Sequence, residues 1–102
     1  MREVNANEVE EFIQKEGLTV LDLHAVWCAP CRMLKPRLEA LSEEYGDIEF
    51  LSMDVDKNEA FAQKFSVRSI PTLLFFKGGE LVRTVVGVPT EKTLVGHFEA
   101  HR

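Results

Sequence analysis

Short apolar runs rich in β-branched residues alternate along this chain with amphipathic stretches of helical period, and that alternation leaves few ways to fold. Leu18 to Val26 carries Val20, Leu21, Leu23, Ala25 and Val26, too short and too β-rich for a helix, and predicts a buried strand. Ile48 to Val55 and Leu73 to Phe76 predict two more, and Leu81 to Val86 a fourth, joined to the third through Gly78-Gly79 as a hairpin. Helices are expected between them. Asn5 and Glu8 make a capping-box pattern ahead of Val9, Phe12 and Ile13, with Gly17 as the stop. Ala29 to Tyr45 repeats Met33, Leu34, Leu38 and Leu41 on one face, and Pro36 inside it predicts a bend. Asn58 to Phe65 predicts a short helix, and Thr90 caps a last one built on Leu94, Val95 and Phe98. A short strand at Arg2 to Val4 precedes them all. Strands separated by helices need right-handed crossovers in a parallel sheet, whereas a terminal hairpin adds antiparallel strands. The expected fold is therefore α/β, a central mixed sheet of four to five strands with helices on both faces.

A chain of 102 residues is enough for one core and too short for two, so residues 1–102 are read as a single domain. Twelve basic against 17 acidic residues leave a net charge of −5, which argues against nucleic acid as a partner. No apolar stretch approaches a membrane span, and Met1 to Glu11 holds four acids and one base, unlike a secretion signal. A soluble, cytoplasmic, monomeric protein is expected.

Both cysteines fall in Trp27-Cys28-Ala29-Pro30-Cys31. Two cysteines placed at random would stand three apart in roughly 2% of arrangements, so the spacing calls for a reason. A structural disulfide closing so small a ring removes little unfolded-state entropy, and zinc would need four ligands where a second C-x-x-C is missing, unless two chains shared the metal. Redox chemistry fits better. Cys28 lies where a strand ends and a helix begins, facing unpaired N–H groups and the positive end of the helix dipole, which favours its thiolate. Cys31, one turn on, is within disulfide reach and is expected to be the more shielded. Cys28 would then attack a substrate disulfide, and Cys31 would resolve the mixed disulfide.

Asp22, an acid within an apolar strand, is a candidate general base for the Cys31 sulfur if buried, and a plain surface acid if the strand is half exposed. Pro71, in Ile70-Pro71-Thr72, opens a strand where it cannot donate to the ladder; a cis bond and a trans proline at a sheet edge both fit.

Taken together, the W-C-x-P-C centre opening a proline-containing helix, the acid six residues before it, the Ile-Pro-Thr forty residues after it and the Gly-rich hairpin resemble the thioredoxin family over essentially the whole chain. The resemblance implies the thioredoxin fold and a protein-disulfide reductase with no bound metal or organic cofactor. It also implies electrons drawn from NADPH through a thioredoxin reductase, and disulfide-containing protein substrates such as peroxiredoxins or ribonucleotide reductase. On that likeness Cys28 is the nucleophile, Cys31 the resolving thiol, Asp22 the buried proton acceptor and Pro71 a cis proline against the disulfide. Trp27, Ala29, Pro30, Ile70 and Gly87 form the docking rim.

Three positions depart from the family pattern. Ala29 replaces a common glycine and bears on redox poise; Ser52 stands where a lysine is frequent, which should leave Asp22 harder to ionise. His24 takes the place of a common tryptophan. Protonated, it would make the pair more oxidising; neutral and hydrogen-bonded to backbone, it would only fill space, and this second reading is preferred. An oxidant or isomerase of the same fold, and a binding module with secondary redox chemistry, remain alternatives. Arg32, Lys35 and Arg37 are read as a solvated face, His97 and His101 as exposed, and Phe50, Phe61, Phe65, Phe75 and Phe76 as core.

Overall fold

In the computed structural model, which describes residues 1–102, the alternating runs become β1 (Arg2–Glu3), α1 (Ala6–Ile13), β2 (Leu18–His24), α2 (Ala29–Glu44), β3 (Glu49–Asp54), α3 (Glu59–Lys64), β4 (Thr72–Lys77), β5 (Glu80–Val86) and α4 (Glu91–His101). A 3-10 turn, Val55–Lys57, links β3 to α3. The sheet order is β1-β3-β2-β4-β5, parallel across β1, β3 and β2 and antiparallel across β2, β4 and β5. It is the expected mixed sheet, with the two-residue strand at one edge.

The two-residue period of a strand sends neighbours to opposite faces and so builds two cores. Val20, Phe50 and Phe75 join Leu34, Leu38, Leu94 and Phe98 beneath α2 and α4. Leu21, Leu51, Leu74 and Phe76 join Val9, Ile13 and Phe61 beneath α1 and α3. Asp22 shares its parity with Val20, so it points to the α2 side.

Local chemistry sets the boundaries. Asn5 caps α1 through Oδ1, accepting from the N–H groups of Asn7 and Glu8, while Glu8 returns a carboxylate oxygen to the Asn5 N–H at 3.0 Å. Gly78 and Gly79 turn the hairpin at φ of 60° and 86°, a conformation a Cβ would oppose. β2 stops at His24, two residues earlier than expected, because the Ala25 carbonyl accepts the Cys28 N–H in a turn and Val26 is left 75% exposed. Along α2, which runs through Pro36, the buried stripe is Cys31, Leu34, Leu38 and Leu41. Met33 sits about 100° round from Leu34 and is outside, 66% exposed, so the expected place for it on the apolar face is corrected. The expected exposure of His97 and His101 is corrected too: both are half-buried with their rings set edgewise on Phe75.

Candidate active site

Strand β2 delivers the chain to the amino end of α2, and the last residue before the helix is Cys28, its N-cap. The Cys28 Sγ accepts the Cys31 N–H at 3.3 Å, so a donor left free by helix geometry points at this sulfur. Cys28 and Cys31 are joined as a disulfide with Cα atoms 5.3 Å apart, three residues and nearly one turn of helix separating them. The expectation that Cys31 would be the more shielded is not met: each residue is 4% exposed. Val55 and Ile70 close over the pair from the far side, a tertiary contact that helix position alone does not reveal.

Two loops complete the surround. The Ile70-Pro71 bond is cis, and the Ile70 carbonyl oxygen lies 3.9 Å from Cys28 Sγ. The Pro71 carbonyl accepts the Gly87 N–H at 2.9 Å, and Gly87 holds φ at 94°, a region costly for any residue with a Cβ. Trp27 is 66% exposed beside the pair, its Nε1 donating to Asp56 Oδ2 at 2.8 Å. An open cleft of about 260 Å³ runs from Trp27 past Val55 and Asp56 to Ile70. Asp56 escapes a reading of the sequence because it is 29 residues from Trp27, with no periodic signal linking them.

Behind the disulfide lies the buried acid. Asp22 is 1% exposed, which excludes the surface-acid alternative, and its Oδ1 has no hydrogen-bond partner within the protein. Burial pushes its carboxyl up to about 6 from the ordinary 3.8; His24 pulls it back, Glu3 adds to the rise and Lys35 opposes it. A cleft of about 330 Å³ is lined by Asp22, His24, Cys31, Arg32 and Lys35, so acid and resolving-position sulfur share one space. His24 does not bond backbone as preferred from sequence. Its Nε2 meets the Glu3 carboxylate, 3.1 Å from Oε1. Glu3 also accepts from Ser52 Oγ at 2.8 Å, and Ser52 stands opposite Asp22 in the sheet register. Glu3 gives no sequence signal because a two-residue strand shows no alternation.

The basic residues of α2 are only in part the solvated face expected. Arg32 Nη1 donates to the Val26 carbonyl at 2.8 Å and Arg37 Nη1 to the Pro89 carbonyl at 2.6 Å, clamping the loops on either side of the helix. No group of three or more His, Cys, Asp or Glu side chains is gathered to hold a metal ion, and no helix is long and apolar enough to cross a membrane.

The family model for thioredoxin matches residues 1–100. The chain belongs to the thioredoxin family. Thioredoxin of Staphylococcus haemolyticus is 42% identical over 99 residues, 96% of this chain and 94% of that one. Thioredoxin of Bacillus subtilis is 46% identical over 80 residues, 78% of this chain and 77% of its own. Among solved structures, Fasciola hepatica thioredoxin superposes with a TM-score of 0.92 at 39% identity, covering all of both chains. As a thioredoxin-family protein it is a thiol-disulfide oxidoreductase whose redox centre is the Cys28–Cys31 pair, and the family carries no cofactor of its own.

Proposed function

We propose that Cys28 is the attacking thiolate, Cys31 the resolving thiol and Asp22 the base that takes the proton from Cys31. The Cys28 thiolate bonds to one sulfur of a substrate disulfide, and the other substrate sulfur leaves as a thiolate. Cys31, deprotonated to Asp22, then attacks Cys28 Sγ; the mixed disulfide breaks, the second substrate sulfur leaves, and the Cys28–Cys31 disulfide closes. Two electrons pass from the protein dithiol to the substrate, and Asp22 hands its proton to solvent.

One observation supports this reading most directly: the Cys31 N–H donates to Cys28 Sγ at the start of α2, an arrangement that stabilises negative charge on that sulfur. Docking is assigned to Trp27, Ala29, Pro30, Ile70 and Gly87, with Pro71 turning the Ile70 carbonyl toward Cys28. An extended substrate would pair with backbone near Ile70, and Gly87 lets it approach closely. Reducing power would come from NADPH through a thioredoxin reductase, with disulfide-bonded proteins as acceptors. Such a reductant works in a reducing compartment, here assigned to the cytoplasm, and acts as a monomer.

The test is Cys31→Ser. It should accumulate a covalent mixed disulfide through Cys28, visible as an added substrate mass that dithiothreitol removes, and should turn over no insulin. Full insulin turnover by Cys31→Ser, with no trapped adduct, would overturn the assignment. A redox titration followed by Trp27 fluorescence separates reductant from oxidant: a midpoint near about −270 mV supports the reductase, and one near about −120 mV the oxidant.

A further inference from the structure

The row of side chains crossing the sheet beneath α2 carries more chemistry than thiol exchange alone uses. Register places Glu3 beside Ser52 and Ser52 beside Asp22 on three successive parallel strands. In such a row all three side chains share a face. His24 stands two residues beyond Asp22 on the same strand and face, and it reaches back diagonally so that its Nε2 meets Glu3 Oε1 at 3.1 Å and Oε2 at 3.3 Å. Ser52 Oγ holds the same Oε1 at 2.8 Å. The imidazole is thereby fixed at the boundary of two clefts, one shared with Asp22 and Cys31 and the other opening past Glu3 to solvent.

We propose that His24, anchored through its Nε2 on the Glu3 carboxylate that Ser52 also holds, is a positioning residue for Asp22: an imidazole fixed on the same sheet face beside the buried carboxylate, setting the electrostatic surroundings in which that acid works. The inference rests on the reading of Asp22 as the proton acceptor for Cys31, and it gives that base a control built from the residues at positions 3, 24 and 52.

The charged surroundings are consistent with this role. From α2, Lys35 and Arg32 face the cleft, but Arg32 is committed to the Val26 carbonyl. From β3, Asp54 pairs with His24 in register, and its Oδ1 is taken by the Asp56 N–H. Glu8 of α1 and Lys57 of the 3-10 turn line the outer cleft. Strand β4 places Leu73 opposite Asp22, and its one charged residue, Lys77, stands at the far end opposite Leu18. The cation nearest in sequence and on the same face is His24, and its electrostatic pull is the largest of those opposing the burial of Asp22. With positions 22 and 24 about 7 Å apart along a strand, charge on one is felt strongly by the other.

Two substitutions separate charge from shape. His24→Gln places an amide nitrogen near Nε2 and keeps a donor for Glu3, but it never carries charge. His24→Lys is a cation at every relevant pH. The readout is the carbonyl-carbon titration of Asp22 by NMR in the disulfide form, where the cysteines do not titrate. The midpoint should rise by about half a pH unit or more in His24→Gln. In His24→Lys it should stay at or below the wild-type value. A midpoint unmoved in His24→Gln, or raised alike in both variants, overturns the inference, since a merely structural histidine would affect both in the same direction. The parent reading is checked apart, by the pH profile of mixed-disulfide resolution in Asp22→Asn. A profile identical to wild type would overturn Asp22 as the proton acceptor and the turnover consequence of the His24 control, whatever the NMR midpoints do. If Asp22→Asn abolishes the inflection, His24→Gln should move it upward by the same amount as the NMR midpoint.

Discussion

Asp22 should weaken the fold that contains it, and by an amount that pH controls. Its carboxyl is 1% exposed and titrates near 6, against 3.8 for an ordinary aspartate. Because the folded-state value is the higher one, folding favours the protonated acid. The associated stability is fully present below pH 3.8 and is lost as pH rises through 6. At about 1.4 kcal/mol per pH unit, that gap amounts to about 3 kcal/mol missing at pH 8. Asp22→Asn removes the titration and keeps the shape. The assay is urea unfolding of the oxidised protein at steps from about pH 3.5 to 8, with wild type and variant compared at each pH so that titrating groups not coupled to Asp22 cancel. The advantage of Asp22→Asn over wild type should grow by about 3 kcal/mol across the range, with most of the growth between about pH 4 and 7. A difference that is flat with pH, or that shrinks as pH rises, would refute the reasoning.

Other perturbations test the scaffold. Leu38→Ala, at a fully buried position between α2 and the sheet, should cost about 2–5 kcal/mol in chemical denaturation. Asn5→Ala removes the acceptor from two N–H groups of α1 and should cost about 1 kcal/mol, read as a lower urea midpoint at unchanged m-value. Gly87→Ala meets no atom within 4 Å but must hold φ at 94°; a loss of about 1–2 kcal/mol with slower insulin reduction is expected. Asp56→Ala frees the Trp27 indole and should lower Trp27 fluorescence anisotropy, while stability changes by less than about 0.5 kcal/mol.

What repeats with a regular period is readable from the sequence. The strand runs, the Asn5–Glu8 box, the glycine hairpin and the Leu34, Leu38, Leu41 stripe all depend on neighbours within a few residues, and so does the placing of Cys28 at a strand-to-helix junction. The misreadings share a cause. Apolar spacing points Met33 inward because four apolar residues fit a helical face loosely, and Cys31 in fact completes the stripe. The equal burial of Cys28 and Cys31 depends on Val55 and Ile70, brought from 24 and 39 residues beyond Cys31. Glu3 meets His24 and Asp56 meets Trp27 through side-chain contacts over 21 and 29 residues, and such contacts have no pattern along the chain. The buried acid itself is conspicuous, since a carboxylate amid Val20, Leu21 and Leu23 breaks the run. Its control by His24 becomes visible only when β1 is laid beside β3.

The ring closed by Cys28 and Cys31 is contained within the first turn of α2. Opening so short a loop releases almost no chain, so oxidation and reduction need not be accompanied by refolding. A pair of electrons is thus exchanged at a single bond, with no long loop to open or close. On the proposed docking surface, a donor and an acceptor protein would then compete for one face and distinguish the two forms through the sulfurs themselves, so that one would have to depart before the other could arrive.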